Sequence, residues 1–182
     1  MNVIATRARP AGYGPVRAPR RSRVSVRPIE ASDAGDLSAF YAGLSDESRR
    51  RRFLGTVRGI SPDQAWAFAA TDHRASDGFV AVAHEAGPND GRIVGHLCLV
   101  PDGEGGNEVA VAVADVFQGR GIGRQLMAAA VESARRRHVP ALTLSLFADN
   151  AVMRRLALGA GLPCRPLIPG SGVAGFRLEV GP

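Results

Sequence analysis

The chain has 182 residues, 45% of them hydrophobic and 22% charged, with 22 glycines and 12 prolines. Glycine and proline make up about a fifth of it, below the roughly 25–30% of a low-complexity chain, and no apolar run approaches the ~18 residues of a membrane span, so one globular domain is expected. All 23 basic residues are arginines, and six of them (Arg7, Arg9, Arg17, Arg20, Arg21 and Arg23) fall within residues 1–23, which hold no acid. The other 17 arginines balance 17 acidic residues over 24–182, so the whole formal charge of +6 belongs to residues 1–23. A nucleic-acid-binding fold would carry its basic excess on the body, where it can track phosphates, which argues against that class. Residues 1–23 lack the apolar centre of a secretory signal and read as a flexible arginine-rich arm. The domain is expected over 24–182, in the cytoplasm. Cys98 and Cys164 offer neither a disulfide framework nor metal-ligand spacing.

Val24 to Ile29 alternates apolar and polar residues, and Pro28, which has no N–H to give, restricts that strand to a sheet edge or a strand end. Ser32 to Leu44 is expected to be helical, with Leu37, Phe40, Tyr41 and Leu44 at spacings of three and four. Ser61-Pro62-Asp63-Gln64 joins an N-cap serine, a proline at the first helical position and a capping-box glutamine, and predicts a short helix through Trp66 and Phe68. Three strands follow, Phe79 to His84, Ile93 to Val100 and Val109 to Val113. The turns between them are too short for crossover helices, so they should be antiparallel neighbours. The period then changes. Ile122 to Arg137 carries Ile122, Leu126, Ala130 and Ala134 on one stripe, with cations in its last turn, and Pro140 stops it. Leu142, Leu144 and Leu146 mark a strand, Asn150 opens a helix ending near Gly159 or Gly161, and a terminal strand runs through Phe176, Leu178 and Val180. The expectation is an α/β fold with a mixed, mostly antiparallel sheet, one βαβ crossover and flanking helices.

The informative stretch runs from Val111 to Arg124, a strand leading through Gln118-Gly119-Arg120-Gly121-Ile122-Gly123 into a helix. Glycines let a ligand approach the backbone, and the free N–H groups of a helix start, with the helix dipole, suit phosphate. The spacing is wrong for a G-x-G-x-x-G dinucleotide loop, and no lysine is present for a P-loop. It resembles instead the [Q/R]-x-x-G-x-[G/A] pyrophosphate loop of the GNAT family of N-acetyltransferases. Asn150 followed by Gly159-Ala160-Gly161-Leu162 is similar to that family's asparagine-to-glycine ending, and the order of elements over 24–182 is similar too. The resemblance implies acetyl-CoA as cosubstrate, bound where two parallel strands splay. It implies pantetheine pairing to the backbones of Val111 and Val113. It also implies pyrophosphate on the N–H groups of Gln118, Gly119, Arg120, Gly121, Ile122 and Gly123 with Arg124 nearby, and a cofactor contact from Asn150. Asn150 also reads as an ordinary N-cap, which is compatible.

Acetyl transfer to an amine needs a proton acceptor, because an alkylamine near pKa 10.4 is mostly charged at neutral pH. Glu108 is the leading candidate. It begins the strand that leads into the glycine loop and alternates with the small residues Ala110 and Ala112; a solvated strand-end glutamate is the alternative. His96 reads more readily as a core histidine than as a base, and Glu104 and Asp115 as loop carboxylates. Many family members have a tyrosine seven residues after the asparagine as acid toward the leaving thiolate. Here that position is Ala157. Leu44 to Gly55, with Glu47-Ser48 and Arg52-Phe53, is similar to the LS-x-ES-x-x-x-RF-x-G segment of bacterial Pat-type protein lysine acetyltransferases, as are Glu108 and Met153. Arg49 to Arg52 read equally as a solvated helix end. The implied acceptor is a protein lysine, with a small amine, or a non-catalytic acyl-CoA-binding module, as the alternatives. No feature sets the oligomeric state.

Overall fold

The computed structural model describes residues 23–167 and 172–181; of the expected arm over residues 1–23, all but Arg23 lies outside them. The alternating segments form β1 Val24–Pro28, β2 Asp77–Ala83, β3 Ile93–Pro101, β4 Asn107–Val113, β5 Ala141–Phe147, β6 Cys164–Leu167 and β7 Val173–Glu179. The helices are α1 Ala34–Ala42, α2 Asp46–Phe53, α3 Pro62–Ala69, α4 Ile122–Arg136 and α5 Ala151–Leu158. One sheet contains all seven strands in the order β1-β2-β3-β4-β5-β7-β6. Every neighbouring pair is antiparallel except β4 and β5, whose parallel pairing is made possible by α4 as the crossover. Both edge strands carry a proline, Pro28 in β1 and Pro166 in β6, where a missing N–H costs no ladder bond.

Strand alternation divides the core into two. Phe79, Ala81 and Ala83 of β2 face α4, packing with Leu97, Leu99, Val109, Ile122 and Leu126. The intervening Val80 and Val82 face the other way, onto Leu37, Phe40 and Tyr41 of α1 and Ala69 of α3. The predicted stripe of α4 is buried throughout, Ile122, Leu126, Ala130 and Ala134 being at most 1% exposed. Complete burial of one large aliphatic side chain stabilises the fold by roughly 1.5–3 kcal/mol, so that stripe is what holds the crossover to the sheet.

Two elements depart from the sequence reading. The first helix ends at Gly43 as expected, but a separate α2, which the chain does not announce, starts after Ser45, whose hydroxyl accepts from Ser48 N–H as an N-cap. With four consecutive arginines, α2 has no apolar period to reveal it. β6 was not expected either: Cys-Arg-Pro-Leu is short and lies at an edge, paired only to β7.

Candidate active site

β4 and β5 pair at only two positions, Asn107 with Leu142 and Glu108 with Thr143. Beyond them the strands part, while β5 stays paired to β7 from Ala141 to Phe147. The freed edge of β4 carries the backbone of Val111 and Val113. Ala114 N–H donates to Val94 O (2.9 Å), so the alternate residues 113 and 111 direct their backbone groups away from β3, into the gap. Backbone groups withheld from a ladder need another partner, and an extended ligand can supply it.

The gap opens into a cleft of about 870 Å³ that passes through the sheet, with walls from both of its faces. On one side stand Met153 and Leu156 of α5; on the other stand Arg52, Phe53, Phe68 and Cys98. Of the residues singled out above, Glu108, Val111, Val113, Gln118, Gly119, Gly121, Ile122, Gly123, Arg124 and Asn150 all line it. Arg120 does not: its side chain pairs with Glu85 (3.7 Å) and lies over the Phe117 ring. Its position in the expected site is a backbone one.

At the end of β4 the chain turns through Gly119 (φ 73°) and Gly121 (φ 84°), left-handed conformations that a side chain would strain. Gly121 caps α4, and the N–H groups of Arg124 and Gln125 close onto its carbonyl (3.1 and 3.2 Å). The N–H groups before them have no preceding turn to bond and point out of a 15-residue helix with the positive end of its dipole. Gln118 stiffens the entry, its Nε2 donating to Val113 O and to Ser48 Oγ, each at 3.1 Å. Across the gap Asn150 is buried, and its Oδ1 accepts from Met153 N–H (3.1 Å), so it is the N-cap of α5 as well as a wall of the cleft.

At the opposite end, Glu108 is exposed and faces the same side of the sheet as Ala110 and Ala112. Of the other two candidate carboxylates, one is engaged in holding the fold. Asp115 accepts from Ser45 N–H and from the hydroxyls of Ser45 and Ser48 at 2.7–2.9 Å. Burial pushes its carboxyl up, but those bonds outweigh it and hold it below the ordinary range. Glu104 lies out on the loop, 3.9 Å from Arg177. His96 is wholly buried and outside the cleft walls, with Nδ1 bonded to the Tyr41 hydroxyl (2.9 Å). Burial, reinforced by the Arg52 charge, pushes its pKa down to about 3, so it is neutral and a poor proton acceptor. Ala157 is fully buried in the α4-side core and supplies no acid.

Of the two readings of Arg52, a residue of the Pat-type resemblance and a solvated helix end, the structure excludes the second. Far from being a solvated helix end, its guanidinium lies 4.9 Å from the Phe53 ring centre, 5.6 Å from that of Phe68 and 5.9 Å from that of Tyr41. Nη2 sits 3.2 Å from Cys98 Sγ. Cys98 is buried and also lines the cleft.

The profile of the Acetyltransferase (GNAT) family matches residues 39–161. The chain belongs to the GNAT acetyltransferase family. It is therefore an acyltransferase that uses acetyl-CoA as cosubstrate and an amine as acceptor. Acetyltransferase PA5475 of Pseudomonas aeruginosa is 33% identical over 138 residues, covering 76% of this chain and 74% of the relative. Among solved structures, the GNAT domain of S. lividans PAT superposes with a TM-score of 0.75 at 25% identity, covering 87% of this chain and 94% of that one. The acetyltransferase yncA of Salmonella typhimurium, solved with acetyl-CoA, superposes at 0.64 with 19% identity, covering 87% and 94%, and shares the GNAT fold. No helix of the described residues is long and apolar enough to cross a membrane.

Proposed function

We propose that this GNAT enzyme acetylates lysine side chains of a protein substrate by direct transfer, with Glu108 as the base. The observation that carries the reading is the two-residue pairing of β4 with β5. It leaves one strand edge open between an exposed carboxylate at its start and a glycine-capped helix at its end. Glu108 and Val113 are five residues apart, about 17 Å at ~3.3 Å per residue, which suits an extended pantetheine arm. Val111 and Val113 would pair with that arm, and the N–H groups of Gln118 to Gly123 would take the pyrophosphate with Arg124. Asn150 would hold the other side of the wedge.

Glu108 then accepts the acceptor's proton, directly or through water. The freed nitrogen pair forms the N–C bond to the thioester carbonyl, the C–S bond breaks, and its pair leaves on sulfur as the thiolate of CoA. With alanine at position 157, that thiolate takes its proton from water or from another group. The protein-lysine acceptor is supported by the exposure of Glu108, which a side chain on a large partner can reach. The similarity of residues 44–55 to Pat-type enzymes and the S. lividans PAT domain agree with it. Mass spectrometry of a lysate incubated with acetyl-CoA and the protein tests the reading. New acetyl groups on protein lysines support it; acetylation of small amines alone would reassign the acceptor.

A further inference from the structure

The four arginines of α2 differ in how their charges are met. Arg49 pairs with Asp46, and Arg50 and Arg51 pair with Glu47. Arg52 points inward, and among the described residues no carboxylate forms an ion pair with it. Its Nε is shut off from solvent and has no hydrogen-bond partner. Three aromatic faces, one sulfur and the Tyr41 hydroxyl meet the guanidinium, and the Glu108 charge acts on it without forming an ion pair. Rings and a thiol attract a cation weakly, while a buried guanidinium offers five directional donors best matched by a carboxylate.

Its position in the cleft narrows what could supply one. Cys98 stands opposite Ala110 in the β3–β4 register, and Ala110 is two residues from Glu108 on the same face of β4. Arg52 is therefore at the reacting end of the cleft. The glycine loop, where phosphates would sit, lies more than a strand's half-length away. Besides Glu47 and Arg51, which also line the cleft and pair with each other, the reacting end carries Glu108 for a proton-bearing amine and Arg52, whose charge the transfer itself does not need.

We propose that Arg52 receives a carboxylate carried by one of the two reactants. The carboxylate is either the free end of a dicarboxylic acyl group on CoA, such as succinyl, or an acidic side chain beside the acceptor lysine. The inference rests on the acetyl-transfer reading of this cleft and adds the selecting charge. Bond making and breaking are unchanged by it: the acyl group moves from sulfur to nitrogen, the amine's proton goes to Glu108 or water, and the Arg52–carboxylate contact persists throughout.

Two ratios test it in the wild type and in Arg52→Gln. The first is kcat/KM with succinyl-CoA over that with acetyl-CoA, on one lysine peptide. The second is kcat/KM for a lysine peptide with aspartate next to the lysine over that for the same peptide with asparagine there, with acetyl-CoA. One ratio should fall at least tenfold in the variant, as expected for loss of a hydrogen bond to a charged group, and the ratio that falls names the source. Arg52→Lys, which keeps the charge but not the planar fork, should lie between. It also serves if the glutamine variant does not fold. Both ratios within threefold of wild type in a folded variant would overturn the proposal. Calorimetric affinities for the same two donors, and for the aspartate and asparagine peptides on the CoA-loaded enzyme, give the same ratios without turnover. Acyl-CoA binding with no transfer would thus sink the transferase reading while leaving Arg52 under test.

Discussion

Asp115 and Ser45, 70 residues apart in the chain, are joined by two hydrogen bonds. Oδ2 takes the Ser45 N–H at 2.9 Å and Oδ1 takes its hydroxyl at 2.7 Å. The contact ties the start of α2 to the turn that leads from β4 into the glycine loop, so the helix bearing Arg52 and the loop at the far end of the cleft share one anchor. Asp115→Ala should lower stability by about 1 kcal/mol at neutral pH, the usual scale of such bonds at an exposed group. Because the folded-state carboxyl is held below its ordinary value, this stability is present above the unfolded-state pKa of about 3.9 and is lost as pH falls through the lower folded-state value. Denaturant melts of wild type and variant at pH 7 and at pH 3 check it. A difference that grows on acidification contradicts the assignment.

Gly121→Val should abolish acetyl-CoA binding. The residue adopts φ 84°, which a β-branched side chain does not tolerate, and it caps the helix whose N–H groups face the cleft. Circular dichroism establishes whether the sheet survives, and calorimetry then measures affinity. A folded variant with wild-type affinity would remove the pyrophosphate role from this loop.

Glu108→Gln should lower kcat by about 100-fold or more while changing acetyl-CoA affinity little, the pattern of a lost proton acceptor. His96, neutral with a pKa pushed down to about 3 and sequestered with Tyr41, should not replace it. Steady-state kinetics over pH 6–9 decide the point, and an unchanged rate would move the proton to water.

Ala157→Tyr should not restore a general acid. The alanine is 0% exposed and packed within the α4-side core, so the larger ring would overpack it, at a cost of typically 1–3 kcal/mol or more. Thermal melts and kcat together test this; a variant as stable as wild type with a raised kcat would contradict it.

The chain contains no lysine, so its sole acetylatable amine is an N-terminal one. Intact-mass spectra after long incubation with acetyl-CoA should therefore show no more than one added acetyl group. Two or more stable additions would indicate O- or S-acylation, with Cys98 and Cys164 as the sites to examine.

Much of this was legible from local pattern. The buried stripe of α4, the edge position of β1, the capping box of α3 and the glycine turn all rest on periodicity or on backbone constraints that act within a few residues. Glu108 on one face with Ala110 and Ala112 follows from the two-residue period of a strand. What the chain alone did not disclose depends on contacts between distant segments. Four adjacent arginines look alike along a sequence, and only the packing of α2 against β4 turns Arg52 inward onto Cys98, Phe53 and Phe68 while its neighbours pair with Asp46 and Glu47. Asp115 looked like one more loop carboxylate until Ser45 and Ser48 were brought to it. The cleft itself arises because β5 keeps its ladder to β7 and gives up β4 after two residues, a competition between pairings that no single strand encodes.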